Sequence, residues 1–441
     1  MKRKDARTTE QNTRYDRQKE IRWEKLDNTA HLFPIISRDK TNNVYRISVM
    51  LREEIQPALL QEALNIVLPK FKGFDLRLRR GFFWYYFEEN GKPAPKVHKE
   101  RDFPCRRIIA HQNRSYLFRV SWFERRINLE VFHALADGLG GAIFLRELTY
   151  QYLRLAHPEL GEQTGDQLAP DTSLNREDSF LNHYRKAHSK EYETQRAYHI
   201  RGESLLPGKL GIMHGLMPIE ALRSAAHRYQ VSINEYLVTA FIWSIYHEKL
   251  HGVPGKHPIR IAVPVNLRPY FDSVTTKNFF VMISAEFDPK KEHGPYTFAE
   301  VASIVRDGLR RQMDRDHLEK LFSYNVSNER NFMLRAVPLF LKSLFMRQVY
   351  AVSARAQTST LTNIGKLEVE EKYRPHIEMF YALLPISKGQ KIRTAVCAYE
   401  DTLVVNFTSS LRDPLVQRGF FRRLTEDGVP VNLETNGVYY E

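Results

Sequence analysis

Apolar and polar positions alternate along the chain with two periods, and together they predict strands packed against helices. Residues 44–51 place apolar side chains at every second position, as in a strand, and 55–68 space them as in a helix. Two further alternating segments, 116–123 and 127–132, are separated by three charged residues and predict a β-hairpin. Helical spacing resumes after it, so the first half predicts a mixed α/β unit.

The second half of the chain repeats this mixture. A Ser-Ile-Asn-Glu capping box at 232–235 predicts the start of an apolar helix. Strands are predicted at 212–217, 259–265, 279–287, 359–364, 379–384, 391–399 and 402–408. One further helix is predicted to begin at Pro218, and others span 297–322, 332–351 and 414–424. Because hairpins recur in both halves, the predicted fold class is α/β, in the α+β mixed sense, with mixed or antiparallel sheets.

A polar stretch with several prolines separates the two halves. A chain of 441 residues is long enough for two or three domains with cores of their own. We predict an N-terminal domain at 1–165, a linker at 166–208 and a C-terminal domain at 209–441, because polar, proline-rich composition is typical of connections between domains.

The formal charge of +14 limits the classes of binding partner but does not identify one. Excess Lys and Arg suit nucleic acid, an anionic membrane surface or an anionic small molecule. The basic residues are interspersed with acids, as in 306–316, and form no single-sign block. We therefore expect no nucleic-acid partner.

The two cysteines and the hydropathy pattern indicate the cellular compartment of the protein. Cys105 and Cys397 are far apart and in no C-x-x-C spacing, so neither a disulfide framework nor a cysteine zinc site is expected. No run of 18 apolar residues predicts a transmembrane helix, and the N-terminus lacks an apolar signal core. The predicted compartment is the cytoplasm.

One basic and apolar segment, 335–347, allows two interpretations. It suits a buried core helix whose Lys342 and Arg347 extend to solvent, which is the interpretation we favour. The alternative is a helix that lies on a membrane and collects a lipid acceptor.

The first chemical motif is His-Ala-Leu-Ala-Asp-Gly at 133–138, between the predicted hairpin and a helix. The imidazole of His133 suits proton abstraction near neutral pH, because its ordinary pKa lies close to neutrality. Asp137 is better suited to orient the turn than to act as a second base. Gly138 permits close backbone approach at the helix start.

A second motif, His247-Glu248-Lys-Leu-His251, is a literal H-E-x-x-H, in which two imidazoles one helical turn apart bind zinc. Gly-Val-Pro-Gly follows at once and ends the helix at the second histidine. Histidines are also common at helix C-termini, where the macrodipole favours positive charge. We expect no metal here and keep a zinc hydrolase as a lesser alternative.

The first motif, with a hairpin before it and a helix after it, resembles the H-x-x-x-D-G signature of the chloramphenicol acetyltransferase and condensation-domain superfamily. Four further segments are similar to standalone bacterial alcohol acetyltransferase-like proteins: LDNTAHLFP at 26–34, FKGFDLRLRRGFFWYYFEE at 71–89, VPVNLRPYF at 263–271 with the following Asn278-Phe-Phe, and SxxTNIG at 359–365. Phe132 stands where condensation domains have a second histidine, and the D-F-G-W-G of plant enzymes is absent.

The resemblance implies two chloramphenicol-acetyltransferase-like mixed-sheet domains in a V, with a channel between them. An acyl thioester enters from one side and a small alcohol or amine from the other. It implies that His133 is the general base, that no cofactor is permanently bound, and that acyl-coenzyme A is a co-substrate, with a carrier-protein thioester as the other possible donor. Direct attack needs no covalent intermediate.

The family's aspartate is held by an arginine. Arg77 and Arg79 are the first candidate partners of Asp137 by position, and Arg268 is another. Thr362 and Asn363 are the residues expected near the channel. A protein that keeps this fold but only binds or regulates is the main alternative to an enzyme, because fold does not dictate function.

Overall fold

The computed structural model describes residues 22–38, 41–161, 168–169, 172–186, 195–330 and 336–440. The predicted domain boundary at 165/166, part of the predicted linker and the start of the predicted helix 332–351 lie outside the described residues. Across the described ranges, no helix combines the length and the apolar character needed to cross a membrane.

Strands and helices alternate along the chain. The strands are β1 (Trp23–Lys25), β2 (Val44–Leu51), β3 (Leu76–Arg80), β4 (Tyr85–Glu89), β5 (His98–Lys99), β6 (Phe118–Phe123), β7 (Arg126–Phe132), β8 (Gly211–Pro218), β9 (Ile259–Asn266), β10 (Phe280–Phe287), β11 (Ser359–Lys366), β12 (Ile377–Leu383), β13 (Ile392–Tyr399), β14 (Thr402–Ser409) and β15 (Asn432–Thr435). The helices are α1 (Leu32–Ile36), α2 (Pro57–Val67), α3 (Gly138–Ala156), α4 (Ser179–Asn182), α5 (Ile219–Arg228), α6 (Ile233–Leu250), α7 (Arg268–Phe271), α8 (Phe298–Gln312), α9 (Arg315–Arg330), α10 (Leu339–Arg355) and α11 (Leu415–Glu426).

Two mixed sheets carry the architecture, as the sequence predicted. The first has the order β12-β2-β7-β6-β5, with α2 and α3 packed together and α3 lying on β2 and β7. The second has the order β10-β9-β11-β13-β14-β8-β15 and is covered by helices that include α6 and α8. A small antiparallel sheet, β1-β4-β3, completes the fold.

Local sequence signals set many of these elements. The strand predicted at 44–51 is β2, and the hairpin β6–β7 pairs from Phe118 opposite Val131 to Phe123 opposite Arg126. Ser232 and Glu235 form both hydrogen bonds of the predicted capping box at the start of α6. These signals lie within a few residues of one another, so periodicity and capping chemistry suffice to predict them.

The structure corrects two of the predicted elements. The helix predicted at 297–322 is two helices, because α8 ends at Gln312 and α9 begins at Arg315. The strand predicted at 379–384 starts earlier, as β12, and pairs antiparallel with β2 of the first half. The first sheet thus contains a strand from the second half of the chain.

Two large apolar cores lie on the two sheets. The core of the first sheet also contains Cys397 from β13 and Val404 from β14, so the second sheet packs against it through β12. β2 is buried on both faces, although its sequence alternates. The C-terminal end of β7 lies close to the start of β10, since the rings of His133 and Phe280 are 5.7 Å apart.

Candidate active site

The His-x-x-x-Asp-Gly segment forms a tight turn between β7 and α3. β7 ends at Phe132, and the amide of His133 donates to the carbonyl of Asn43, at 2.9 Å. Asp137 then caps α3, because its Oδ1 accepts a hydrogen bond from the amide of Gly140 at 3.0 Å. An aspartate is among the best N-cap residues, so this sequence both ends the strand and starts the helix.

Aromatic rings enclose the imidazole of His133. Phe33 of α1 stacks on it with ring centroids 4.5 Å apart, and Tyr45 of β2 meets it edge-on at 5.1 Å. Phe280 of β10 lies at 5.7 Å. Burial among these rings lowers the pKa of His133, because it disfavours the charged form. The imidazole is therefore held in the neutral form that can accept a proton.

A side-chain amide from the second half orients this imidazole. Nδ1 of His133 lies 3.1 Å from Oδ1 of Asn278, two residues before the start of β10. Because a carboxamide oxygen only accepts hydrogen bonds, Nδ1 carries the proton and Nε2 carries the lone pair. The lone pair on Nε2 is what a general base needs.

Asp27 fixes the orientation of the Asn278 amide. Its Oδ2 accepts from Nδ2 of Asn278 at 2.9 Å and from the backbone amide of Asn278 at 3.3 Å. Its Oδ1 accepts from the amide of Ala30 at 2.7 Å. Burial raises the pKa of Asp27 to about 7, although the hydrogen bonds from Asn278 and Ala30 act in the opposite direction. The resulting chain of contacts runs from Asp27 through Asn278 to His133.

Arg268 is the arginine that pairs with Asp137. Its Nη2 lies 2.9 Å from Oδ2 of Asp137, and both side chains are almost fully buried. The same guanidinium donates from Nε to the carbonyl of Thr275 at 2.8 Å and from Nη2 to that of Lys277 at 2.7 Å. The amide of Phe279 reaches Oδ2 of Asp137 at 3.4 Å. The turn is thus tied to the second half of the chain.

Arg77 and Arg79 are not partners of Asp137, which corrects two of the three candidates. Both lie on β3 and bind Glu88 of β4, which faces Arg77 directly in the strand register. Their hydrogen bonds lower the pKa of Glu88, the one from Arg79 foremost. Period-two spacing places both guanidinium groups on one face of the strand, and that face carries its own carboxylate.

The glycines at the start of α3 lie close to the second half. A Cβ at Gly138 would lie 2.9 Å from Cγ2 of Ile364 in β11, and one at Gly140 would lie 2.7 Å from the carbonyl oxygen of Thr276. The close approach of Gly138 is therefore made to β11, the strand that contains Thr362 and Asn363.

The Thr-Asn-Ile-Gly segment comes to the site through Ile364. Thr362 is half-buried on β11 and pairs with Ala395 of β13. Asn363 is exposed, and its Oδ1 accepts from the amide of Gly365 at 2.9 Å. Asn363 therefore lies where the register of β11 against β13 shifts, and its place along a substrate channel remains a prediction.

Sequence reasoning left several residues of this site without a role, among them Phe33, Asp27 and Asn278. These named residues belong to segments whose resemblance was noted, LDNTAHLFP and the Asn-Phe-Phe after VPVNLRPYF. Asp27 and Asn278 could have been found as a carboxylate and a carboxamide that lie in these motifs, far from the histidine in sequence.

The H-E-x-x-H residues do not form a comparable site. α6 ends at Leu250, and His251 follows in the left-handed conformation with φ 54°. The ring of His247 packs against Trp243, with centroids 4.0 Å apart, and Glu248 forms an ion pair with Arg422. The carboxylate that a zinc hydrolase would use as base is thus held by an arginine.

Within the described residues, one group has metal-ligand composition: Glu53, His157 and His376, whose donor atoms lie within 4.8 Å of one another. His157 follows the C-terminus of α3, a helix of 19 residues that is about 28 Å long. The group therefore lies at the opposite end of α3 from Asp137 and is separate from the His133 site.

Comparisons with known proteins identify the fold. No family model matches the sequence, and no curated protein is similar enough to match it. Solved structures do match along nearly the whole chain. Polyketide synthase associated protein 5 from Mycobacterium tuberculosis is 14% identical with a TM-score of 0.58, covering 91% of this chain and 97% of that one.

Two further structures give the same result. The first condensation domain of the CDA synthetase is 13% identical with a TM-score of 0.58, covering 92% of this chain and 96% of that one. TRI101 from F. graminearum, solved with coenzyme A and T-2 mycotoxin, is 12% identical with a TM-score of 0.58, covering 93% and 99%. The protein thus has the two-lobed mixed α/β fold of chloramphenicol-acetyltransferase-like acyltransferases and condensation domains.

Proposed function

We propose that the protein is an acyltransferase that moves an acyl group from a coenzyme A thioester to a hydroxyl or amine acceptor. The observation that carries the proposal is the imidazole of His133, whose Nδ1 proton is bound by Asn278 and whose Nε2 lone pair is left to accept a proton. Such a group is a general base at neutral pH, because its pKa lies below the ordinary value.

In this mechanism Nε2 of His133 takes the proton from the acceptor as its oxygen or nitrogen attacks the thioester carbonyl. The carbon–sulfur bond then breaks, and the imidazolium returns the proton to the thiolate of coenzyme A. Asn278 and Asp27 keep the ring in the productive tautomer. Asp137 and Arg268 hold the turn that carries the ring, so they act through position and not through contact with substrate.

The finer assignment is a standalone alcohol acetyltransferase-like enzyme of the cytoplasm, with an acetyl donor and a small alcohol or amine acceptor. Phe132 in place of a second histidine supports a standalone enzyme over a condensation domain. Two buried, unpaired cysteines, Cys105 and Cys397, support a reducing compartment. The proposed domains remain 1–165 and 209–441 with the linker at 166–208, and the proposed substrate channel lies between them.

The proposal is tested by free-thiol release from acetyl- and longer acyl-coenzyme A esters, with and without a panel of alcohols and amines. His133→Ala is expected to lower acceptor-dependent release by about 10²- to 10⁴-fold, the usual contribution of a general base. For the active wild type, the acid limb of kcat/KM is expected below pH about 6.5, since burial lowers the pKa of His133.

His214→Ala is the matched control. His214 is half-buried like His133, and its Nδ1 lies 2.7 Å from Oδ1 of Asn406, but it belongs to β8 and not to the motif. This variant is expected to retain wild-type release once folding is verified. Equal losses in both variants, or release that His133→Ala leaves intact, would refute the assignment. Tight thioester binding without any release would favour the non-catalytic alternative.

A further inference from the structure

The outward side of α10 is the most apolar exposed face of any described helix. Phe340 is 60% exposed and Phe345 69%. Four more large apolar side chains on this helix are also exposed: Leu341, Leu344, Val349 and Val352. The expectation of a buried core helix is therefore wrong, because the periodicity identified an apolar face that packing leaves uncovered.

An aromatic turn lies beside the start of this helix. Phe82 is 69% exposed, and Phe83 and Trp84 next to it are also exposed, at the connection between β3 and β4. The carbonyl of Phe82 accepts from the amide of Leu339 at 2.8 Å, and that of Phe83 accepts from Nζ of Lys342 at 3.1 Å. The turn and the helix thus form one surface, which we call the aromatic face: 82–84 and the outward side of α10.

The charge around the aromatic face is positive. α10 contains Lys342, Arg347 and Arg355 and no acidic residue. Arg80 is exposed immediately before the aromatic turn. A helix with exposed aromatic and aliphatic side chains and cations beside them is typical of binding at the interface of an anionic bilayer. Trp84 adds the residue type that is enriched at that depth.

We propose that the aromatic face docks the protein on an anionic phospholipid bilayer. The residues 1–21 of this chain are too polar to cover such a surface, since they are dominated by charged and amide side chains. Pairing of two copies through this face would bring cations together without acids to neutralise them. An anionic bilayer satisfies both the apolar and the charged part of the surface.

Docking would also place the membrane next to the candidate active site. The inward side of α10 packs on α1: Leu339 forms an apolar cluster with Ile35 and Ile36, and Met346 and Phe33 pack against this cluster. Phe33 in turn stacks on the imidazole of His133. A membrane-borne hydroxyl is therefore the acceptor class that this position favours, a consequence that rests on the proposed function, whereas docking itself does not.

The test is flotation of the full chain with phosphatidylcholine vesicles, with and without about 30% phosphatidylserine, in the absence of any acyl donor. Phe340→Ser with Phe345→Ser is compared with Leu206→Ser and Val253→Ser, a pair of similar exposure, 68% and 58%, elsewhere on the surface. We expect binding to anionic vesicles that falls at least tenfold in the first pair and is unchanged in the second. Light scattering measures the oligomeric state of each variant.

Three outcomes would overturn the proposal. The first is no binding to anionic vesicles. The second is binding that both pairs retain and that disappears at about 0.5 M salt, since screened surface charge alone would explain it. The third is a stable dimer of the wild type that the first pair dissociates, which would assign the aromatic face to a second copy. Because no turnover is measured, each outcome is independent of the acyltransferase proposal.

Discussion

The buried ion pair between Asp137 and Arg268 offers the sharpest test of how the turn is held. Asp137 does two things: Oδ1 caps α3, and Oδ2 pairs with Arg268. Asp137→Asn keeps a good capping side chain and removes the charge, whereas Asp137→Ala removes both. The two variants therefore separate the cap from the ion pair.

The expected magnitudes follow from burial. Both side chains are only 9% exposed, so removal of one charge leaves the other buried, at a cost of about 3–5 kcal/mol in the free energy of unfolding. For a cooperative unit of about 200 residues, each kcal/mol lowers Tm by about 2–4 °C, which gives a fall of at least about 6 °C for Asp137→Asn. Loss of the cap costs about 1 kcal/mol more, so the Tm of Asp137→Ala is expected to lie about 2–4 °C below that of Asp137→Asn.

Thermal unfolding followed by fluorescence measures these differences. Arg268→Met completes a double-mutant cycle, in which Asp137→Asn with Arg268→Met is expected to cost less than the two single variants added together. On the scale of about 2–4 °C per kcal/mol, a Tm of Asp137→Asn within about 2 °C of the wild-type Tm would refute the buried pair. Equal Tm values for Asp137→Asn and Asp137→Ala would refute the cap.

Two further predictions concern packing and pH. Gly140→Ala is expected to destabilise by about 1–3 kcal/mol, because its Cβ would meet the carbonyl oxygen of Thr276, whereas Gly308→Ala, at a helical glycine with open space, is expected to be neutral or stabilising by Tm. The raised pKa of Asp27, about 7 against 3.8, means that the wild type loses stability as pH rises from about 4 through 7. Asp27→Asn lacks this loss, so its Tm relative to wild type should rise between pH about 4 and 7 and level off above that, and parallel profiles would contradict the assignment.

The local sequence predicted the helices and strands of this fold better than it predicted which of them pack or pair together. The apolar period of 44–51 and the capping box at 232–235 are confirmed as β2 and the start of α6, since both depend on neighbours in sequence. The pairing of β12 with β2 joins residues more than 300 positions apart, and no local period encodes it. The apolar face of a helix can likewise be predicted from its sequence, but whether another element covers that face cannot. α10 is an example.

The candidate site follows the same division. His133 and Asp137 stand out because their spacing and the turn between strand and helix are local. Arg77, Arg79 and Arg268 were equally good partners by residue type, and only the tertiary structure distinguishes them. Arg268 is selected because the carbonyls of Thr275 and Lys277 hold its guanidinium beside Asp137, while Glu88 takes the other two.

Both ends of the motif depend on the second half of the chain. Asn278 orients His133, and Arg268 with the amide of Phe279 holds Asp137. The residues from 268 to 279 therefore contact the imidazole and the carboxylate from one continuous segment. Because each contact is lost if this segment moves away, the orientation of the proposed base is coupled to the packing of the two halves, and the first half alone lacks the groups that fix its tautomer.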